Sequence, residues 1–327
     1  MLTDKFGRHI DYLRLAVTDR CNLRCKYCMP AEGLDWVSRE SLLSYEEMLV
    51  LLEIFHELGV TKLRFTGGEP FLRKDFMKLV EAVAQRGWFT QIAITTNGTL
   101  TAPYVARLKE LGIHSVNLSL DTMDEVRFKQ ITRRDDFAAV MTTFESLLRH
   151  NIKTKINAVI LEGINEEDLI ELTTLTREHP VDVRFIEEMP FNGRGAQKPL
   201  RWNHREIYSH IEQAFPSIHK LDDDPHSTSF NYRIEGHQGN VGIIPAYTRS
   251  FCGTCNRIRL TPAGVIKSCL YENAETNLMK LLRDGATKSA LIATIQQVVS
   301  HKAKDGFQAE AMRTAHPVHE SMSTIGG

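Results

Sequence analysis

All six cysteines of this 327-residue chain fall into two triplets, and none is left over. Cys21, Cys25 and Cys28 read C-x3-C-x2-C near the start, and Cys252, Cys255 and Cys269 read C-x2-C-x13-C near the end. Three thiolates are one fewer than a tetrahedral structural metal or a saturated four-iron cluster takes. Two triplets therefore suggest two cubane clusters, each with one iron open to a non-protein ligand. An open iron can hold a substrate, so the pattern points to a catalyst. Zinc is the competing occupant of each triplet and would need a fourth ligand. His9 is the histidine nearest the first triplet but lies before the first strand, and His237 is the candidate at the second.

Other residues could serve such centres. Arg257 and Arg259 alternate with Ile258 and Leu260 just after Cys255. In an extended segment both guanidiniums share one face, which suits a polyphosphate or another anion. A solvated strand face is the alternative. Arg14, Arg64 and Lys155 alternate with apolar neighbours in the same way. A ring of inward cations is costly to desolvate without an anionic ligand or partner carboxylates; a structural ion-pair network is the rival account. In Thr66-Gly67-Gly68-Glu69-Pro70 the paired glycines admit a ligand close to the backbone, and Glu69 could accept from an ammonium group. A plain strand-to-helix turn would use the same residues. Asn97-Gly98, Ser119 with Asp121, and Met189 are, taken singly, ordinary turn or core residues. The chain closes on Ile325-Gly326-Gly327, a disordered tail or a side-chain-free strip able to enter a narrow cavity.

These residues need a frame. Apolar strand patterns cover residues 13–17, 62–66, 91–96, 115–120, 154–160 and 182–186. Segments with apolar spacing of three and four lie between and after them, at 44–58, 75–86, 102–111, 137–150, 165–178 and 203–215. Ser44 and Asn165, each followed by paired glutamates, are helix-start signals. Six strand–helix units in a row argue for a parallel sheet with helices outside. The motifs follow many strands and not one switch point, so an incomplete (βα)6 TIM-like barrel is expected. Residues 220–229 (KLDDDPHSTS) are polar and turn-rich, a linker by composition. Beyond them come a hairpin at 230–234 and 241–244, the second triplet and mixed helices. The expected division is 1–220 as the barrel and 221–327 as a smaller C-terminal α+β domain.

Composition excludes several classes. Hydrophobic residues make up 42% and charged residues 25%, with 40 basic against 41 acidic side chains and a net charge of −1. Nothing in that balance favours nucleic acid or an anionic membrane surface. There is no apolar run long enough to cross a bilayer and no apolar leader at the N-terminus. A cytoplasmic location is expected, where thiols stay reduced and clustered cysteines read as metal ligands.

C-x3-C-x2-C with an aromatic, Tyr27, before the last cysteine resembles the signature of radical S-adenosylmethionine (SAM) enzymes. That resemblance implies a 4Fe-4S cluster on Cys21, Cys25 and Cys28, with SAM on the open iron. Reductive cleavage of SAM would give a 5′-deoxyadenosyl radical. The full set of C-x3-C-x2-C, GGEP, the second triplet with R-x-R and the Gly-Gly end resembles the GTP 3′,8-cyclases of molybdenum cofactor biosynthesis. It implies conversion of GTP to (8S)-3′,8-cyclo-7,8-dihydroguanosine 5′-triphosphate. A second 4Fe-4S cluster on Cys252, Cys255 and Cys269 would bind the guanine. Tyr27, Gly68, Glu69, Ser119 and Met189 would contact SAM. Arg14, Arg64, Thr95, Lys155, Arg257, Ile258 and Arg259 would line the GTP site. Arg257, Arg259, Gly326 and Gly327 are implicated in catalysis. The implied partners are a reduced flavodoxin- or ferredoxin-type donor, a downstream cyclic pyranopterin monophosphate synthase and a second copy in a homodimer. A peptide-modifying radical enzyme and a non-catalytic electron carrier are the rivals, separable by product analysis and by whether SAM is cleaved.

Overall fold

The computed structural model describes residues 1–191, 200–312 and 320–326. Its centre is one sheet whose first six strands are β1 (Tyr12–Ala16), β2 (Lys62–Thr66), β3 (Gln91–Thr96), β4 (Ser115–Ser119), β5 (Thr154–Ile160) and β6 (Asp182–Glu187). The C-terminal third adds β7 (His219–Lys220), β8 (Phe230–Arg233), β9 (Asn240–Ile244), β10 (Arg257–Leu260) and β11 (Ile266–Lys267). The order is β11-β10-β1-β2-β3-β4-β5-β6-β9-β8-β7. All pairs from β10 through β1–β6 to β9 are parallel, and the β10–β11, β9–β8 and β8–β7 pairs are antiparallel. The order is linear, with its two ends unpaired, so the barrel is incomplete as expected.

The C-terminal segment extends the same sheet at both edges. Strand β10 pairs with β1, and β9 pairs with β6. Gly239 makes the β9 junction possible: a Cβ there would lie 1.9 Å from the Val181 carbonyl oxygen.

Helices α1 (Tyr45–Glu57), α2 (Phe76–Arg86), α3 (Val105–Glu110), α4 (Glu125–Thr132), α5 (Phe137–Arg149), α6 (Asp168–Glu178) and α7 (His204–Ala214) cover one face. Ser44 caps α1 with a full capping box to Glu47. The remaining helices are α8 (Leu278–Arg283), α9 (Lys288–Ser300), α10 (Gly306–Ala311) and α11 (Met322–Ile325). Alternation along each strand sends Leu13, Leu15, Leu63 and Phe65 into the helical layer, and Ile156, Val183 and Phe185 into its second half. Each such buried side chain contributes roughly 1.5–3 kcal/mol. The opposite face carries the polar residues.

Helix α4 has no counterpart in the sequence reading. Its EVRFKQIT stretch has few apolar residues to set a period, yet Asp124 caps it by accepting from the Arg127 amide at 2.6 Å. Residues 220–229 are also more than a linker. Lys220 belongs to β7, and the segment folds back so that His226 meets the Thr254 carbonyl at 2.9 Å.

Candidate active site

The first cysteine loop leaves the C-terminal end of β1. Cys25 accepts from the amides of Cys28 (3.0 Å) and Met29 (3.1 Å), a tight turn that gathers the three thiols. The end of α4 holds it from outside: the amides of Arg24 and Lys26 donate to the carbonyls of Thr132 (2.9 Å) and Ile131 (3.0 Å). The GGEP turn docks on it through backbone, Gly68 to Thr18 at 2.7 Å and Glu69 to Arg20 at 2.8 Å. A Cβ at Gly68 would lie 2.1 Å from the Arg20 carbonyl oxygen, so no other residue fits. Glu69 is fully buried; its carboxylate accepts from Asn97 N (2.7 Å) and Thr96 Oγ1 (2.9 Å). Burial nonetheless pushes its pKa up to about 7. The Tyr27 phenol donates to Asp121 at 3.0 Å. Ser119 closes β4 at the same end of the sheet. Burial, reinforced by Glu69, pushes the Cys21 thiol up to about 12, and burial raises Cys25 and Cys28 as well.

On the face away from the helices lies a cavity of about 560 Å³. The second triplet, Cys252, Cys255 and Cys269, forms part of its wall, and Met189 lines it beyond β6. Strand register arranges the cations. Arg259, Arg14 and Arg64 stand side by side on β10, β1 and β2. Arg257 faces Tyr12 one pleat away. Across the cavity, Lys155 faces Asp182, with nitrogen and oxygen 4.0 Å apart. Arg184 follows on β6, where Gly242 of β9 leaves it room.

Their mutual field is visible. Burial and then Arg259 hold Arg14 well below its ordinary pKa. Burial and neighbouring guanidiniums bring Arg259 and Arg184 to about 10. Burial and Arg184 bring Lys155 to about 7. Among the described residues, Arg14 Nε, Arg64 Nε, Arg184 Nε, Thr95 Oγ1 and Asn157 Oδ1 are buried without a hydrogen-bond partner. All five residues line the cavity. The Lys155–Asp182 contact is the one ion pair among these cations in the described residues. An ion-pair network therefore does not account for the ring; a polyanion would.

The C-terminal strip joins the two ends of the site. Ser321 Oγ donates to the Cys28 carbonyl at 2.7 Å. Five residues on, the Gly326 carbonyl accepts from Arg259 Nη1. Gly326 has φ +77°, and a Cβ there would lie 2.9 Å from that of Ala16. Gly327 lies outside the described residues.

Not every expected residue faces the cavity. Ile258 turns its side chain to the opposite face of β10 and packs in the core, buried with Leu13 and Leu63. His237 stands against Thr176 (2.7 Å) and Phe215, where it supports the fold and not the second triplet. His9 meets Thr3 at 3.1 Å. Arg184, Asn117, Asn157 and Tyr12 line the cavity but were not read from the sequence. Arg184 alternates with Val183 and Phe185, the same signal that marked Arg14.

Residues 15–175 match the radical SAM superfamily, and residues 181–307 match the Molybdenum Cofactor Synthesis C family. With its parallel sheet and the cysteine loop after β1, the chain is a radical SAM protein. It is 39% identical to the mitochondrial GTP 3′,8-cyclase of Arabidopsis thaliana, over 100% of this chain and 84% of that one. It is 38% identical to the GTP 3′,8-cyclase of Syntrophomonas wolfei, over 97% and 99%. The chain belongs to the GTP 3′,8-cyclase family. Molybdenum cofactor biosynthesis protein 1 of Drosophila melanogaster is 40% identical over 97% of this chain but 56% of its own length. The chain thus spans about half the length of these longer relatives, 49% for that of Dictyostelium discoideum. Streptococcus suis SuiB bound to precursor peptide SuiA shares the fold, with TM-score 0.65 at 16% identity over 93% of this chain and 71% of that one.

The superfamily works with SAM and an iron–sulfur cluster. The first triplet fits one: three half-buried thiols gathered on one turn. Among the described residues no group of three His, Cys, Asp or Glu side chains forms a site for a single metal ion. Cubane thiolates sit on three separate irons and need no such convergence. At the second triplet burial would raise Cys255, but Lys302 and Arg257 outweigh it and bring its pKa down to about 5. A thiolate is the form that binds metal.

Proposed function

We propose that the chain converts GTP to (8S)-3′,8-cyclo-7,8-dihydroguanosine 5′-triphosphate, the first step of molybdenum cofactor biosynthesis. The observation that carries this is the cavity itself. One wall holds three cysteines, the others hold five guanidiniums and the amines of Lys62 and Lys155, and Met189 and the C-terminal strip reach it from the side of the first triplet.

Cys21, Cys25 and Cys28 would hold the first cluster, which with bound SAM would supply the radical chemistry at the ribose. Tyr27, Gly68, Glu69, Ser119 and Met189 would hold SAM. Cys252, Cys255 and Cys269 would carry a second 4Fe-4S cluster for the guanine. Arg14, Arg64, Thr95, Lys155, Arg257 and Arg259 would bind the remainder of GTP, with Arg184 added from the structure. Ile258 serves through packing that fixes the two arginines flanking it. Gly326 would close the cavity between the two centres, keeping water and stray hydrogen donors from a primary radical, and Gly327 is proposed to share in catalysis. In this division of labour residues 1–220 generate the radical and residues 221–327 present the substrate.

We further place the protein in the cytoplasm, as a homodimer that takes electrons from a reduced flavodoxin or ferredoxin and feeds a cyclic pyranopterin monophosphate synthase. No helix among the described residues is long and apolar enough to cross a membrane. The test is anaerobic reconstitution with iron and sulfide, then SAM and reductant with and without GTP. The expected result is 5′-deoxyadenosine matched by cyclised GTP. SAM cleavage with no GTP-derived product would refute the substrate, and no cleavage would refute the chemistry.

A further inference from the structure

Lys302 follows α9 and is 2% exposed. Its Nζ donates to the Arg257 carbonyl at 3.0 Å and to the Ser268 carbonyl. Arg257 lies two residues after Cys255, and Ser268 immediately precedes Cys269. One ammonium group therefore ties together the two arms that carry these cysteines. Both hydrogen-bond partners are main-chain carbonyls, and among the described residues no carboxylate pairs with it.

The residues that follow reach the third arm. The carbonyls of Ala303 and Lys304 accept from Arg8 at 2.6 and 2.8 Å. The same guanidinium donates to the Cys252 carbonyl at 3.1 Å and is held from behind by Asp4. At Gly306 an added Cβ would lie 2.8 Å from Arg249 Cδ and 3.5 Å from Cys252 Sγ. Residues 302–306 thus brace every arm of the second triplet from outside the cavity. A buried ammonium answered only by carbonyls is costly. Three thiolates around a cluster carry net negative charge, which is what such an ammonium lacks.

We propose that Lys302 is a positioning residue of the second metal centre, bracing the Cys255 and Cys269 arms and supplying the positive charge that offsets their thiolates. This rests on the second triplet holding an iron–sulfur cluster. The test uses the full chain with Cys21→Ala, Cys25→Ala and Cys28→Ala, so that only the second triplet can load. Lys302→Gln keeps a donor for the carbonyls and drops the charge, Lys302→Met drops both, and Lys302→Arg keeps both. Iron and sulfide counts and an anaerobic redox titration followed by electron paramagnetic resonance are the readouts. Lys302→Gln should load but favour the oxidised cluster by about tenfold or more, a midpoint lower by about 59 mV for one electron. Lys302→Met should load poorly, and Lys302→Arg should match the parent. If the parent loads and Lys302→Gln shows the same content and midpoint, the proposal falls while the cluster reading stands. If the parent itself binds no iron, the cluster reading falls and takes the proposal with it. Should Lys302→Met not fold, Lys302→Gln against Lys302→Arg decides alone.

Discussion

On the proposed function, Lys155 is expected to make GTP affinity fall as pH rises. Burial, then Arg184, lowers its pKa from 10.5 to about 7. Above that pH the free protein holds a neutral amine, and a polyphosphate bound beside it draws a proton back. Restoring the ordinary value would be worth about 5 kcal/mol at about 1.36 kcal/mol per unit, so the bound-state pKa has ample room to rise. Within that window affinity falls up to about tenfold per pH unit as pH increases, about thirtyfold between pH 7.5 and 9. The terminal phosphate of GTP ionises below this range, so the slope belongs to the protein. Folding moves the other way. The unfolded lysine keeps its proton to near 10.5 while the native one gives it up near 7, so the native state binds fewer protons and its stability from this group rises with pH. The assay is calorimetric titration of GTP in buffers of different ionisation enthalpy, which counts protons taken up, beside thermal unfolding of the free protein. Lys155→Arg should flatten the affinity profile, because a guanidinium stays charged throughout. A flat profile in the parent, or an unchanged slope in Lys155→Arg, would refute the reasoning.

Three further outcomes are expected. Arg259→Ala should abolish measurable GTP binding with thermal stability little changed, while Ile258→Ala should cost about 2–5 kcal/mol in denaturant unfolding because its side chain sits in the core; equal stability losses would contradict the two-faced strand. Gly326→Ala must fit a Cβ at positive φ against Ala16, costing about 1–3 kcal/mol of strip docking. Product formation should drop with GTP affinity retained, and an unaltered rate would remove the closing role. Gly68→Ala drives a methyl into the Arg20 carbonyl, so the first triplet should bind less iron while the second keeps its share; full iron content would show that the turn can move.

The six parallel strands were legible because each is a short apolar run between longer helical patterns, and the cysteine loop because thiol spacing is unambiguous chemistry. Arg14, Arg64 and Lys155 were legible because a lone cation between core residues has only one face left to occupy. Arg184 carries the same signal between Val183 and Phe185. What the one-dimensional pattern could not give is which edges meet. That β10 joins β1, so that Arg259 stands beside Arg14, depends on a pairing across most of the chain. Lys302 was invisible for a related reason. It sits at the end of a helix, and only packing shows that its amine ends beneath the second triplet.

The β1–β10 seam also sets a timetable for biosynthesis. Asn256 and Asp11, 245 residues apart, are hydrogen-bonded at 2.6 Å. At ribosomal rates β1 therefore waits roughly 12–50 s for its outer neighbour, with one row of amides and carbonyls unpaired. The loop bearing the first three thiols, at the end of β1, is in that interval an open rim. Once the last strand docks and the terminal residues thread past Cys28, the rim becomes an interior.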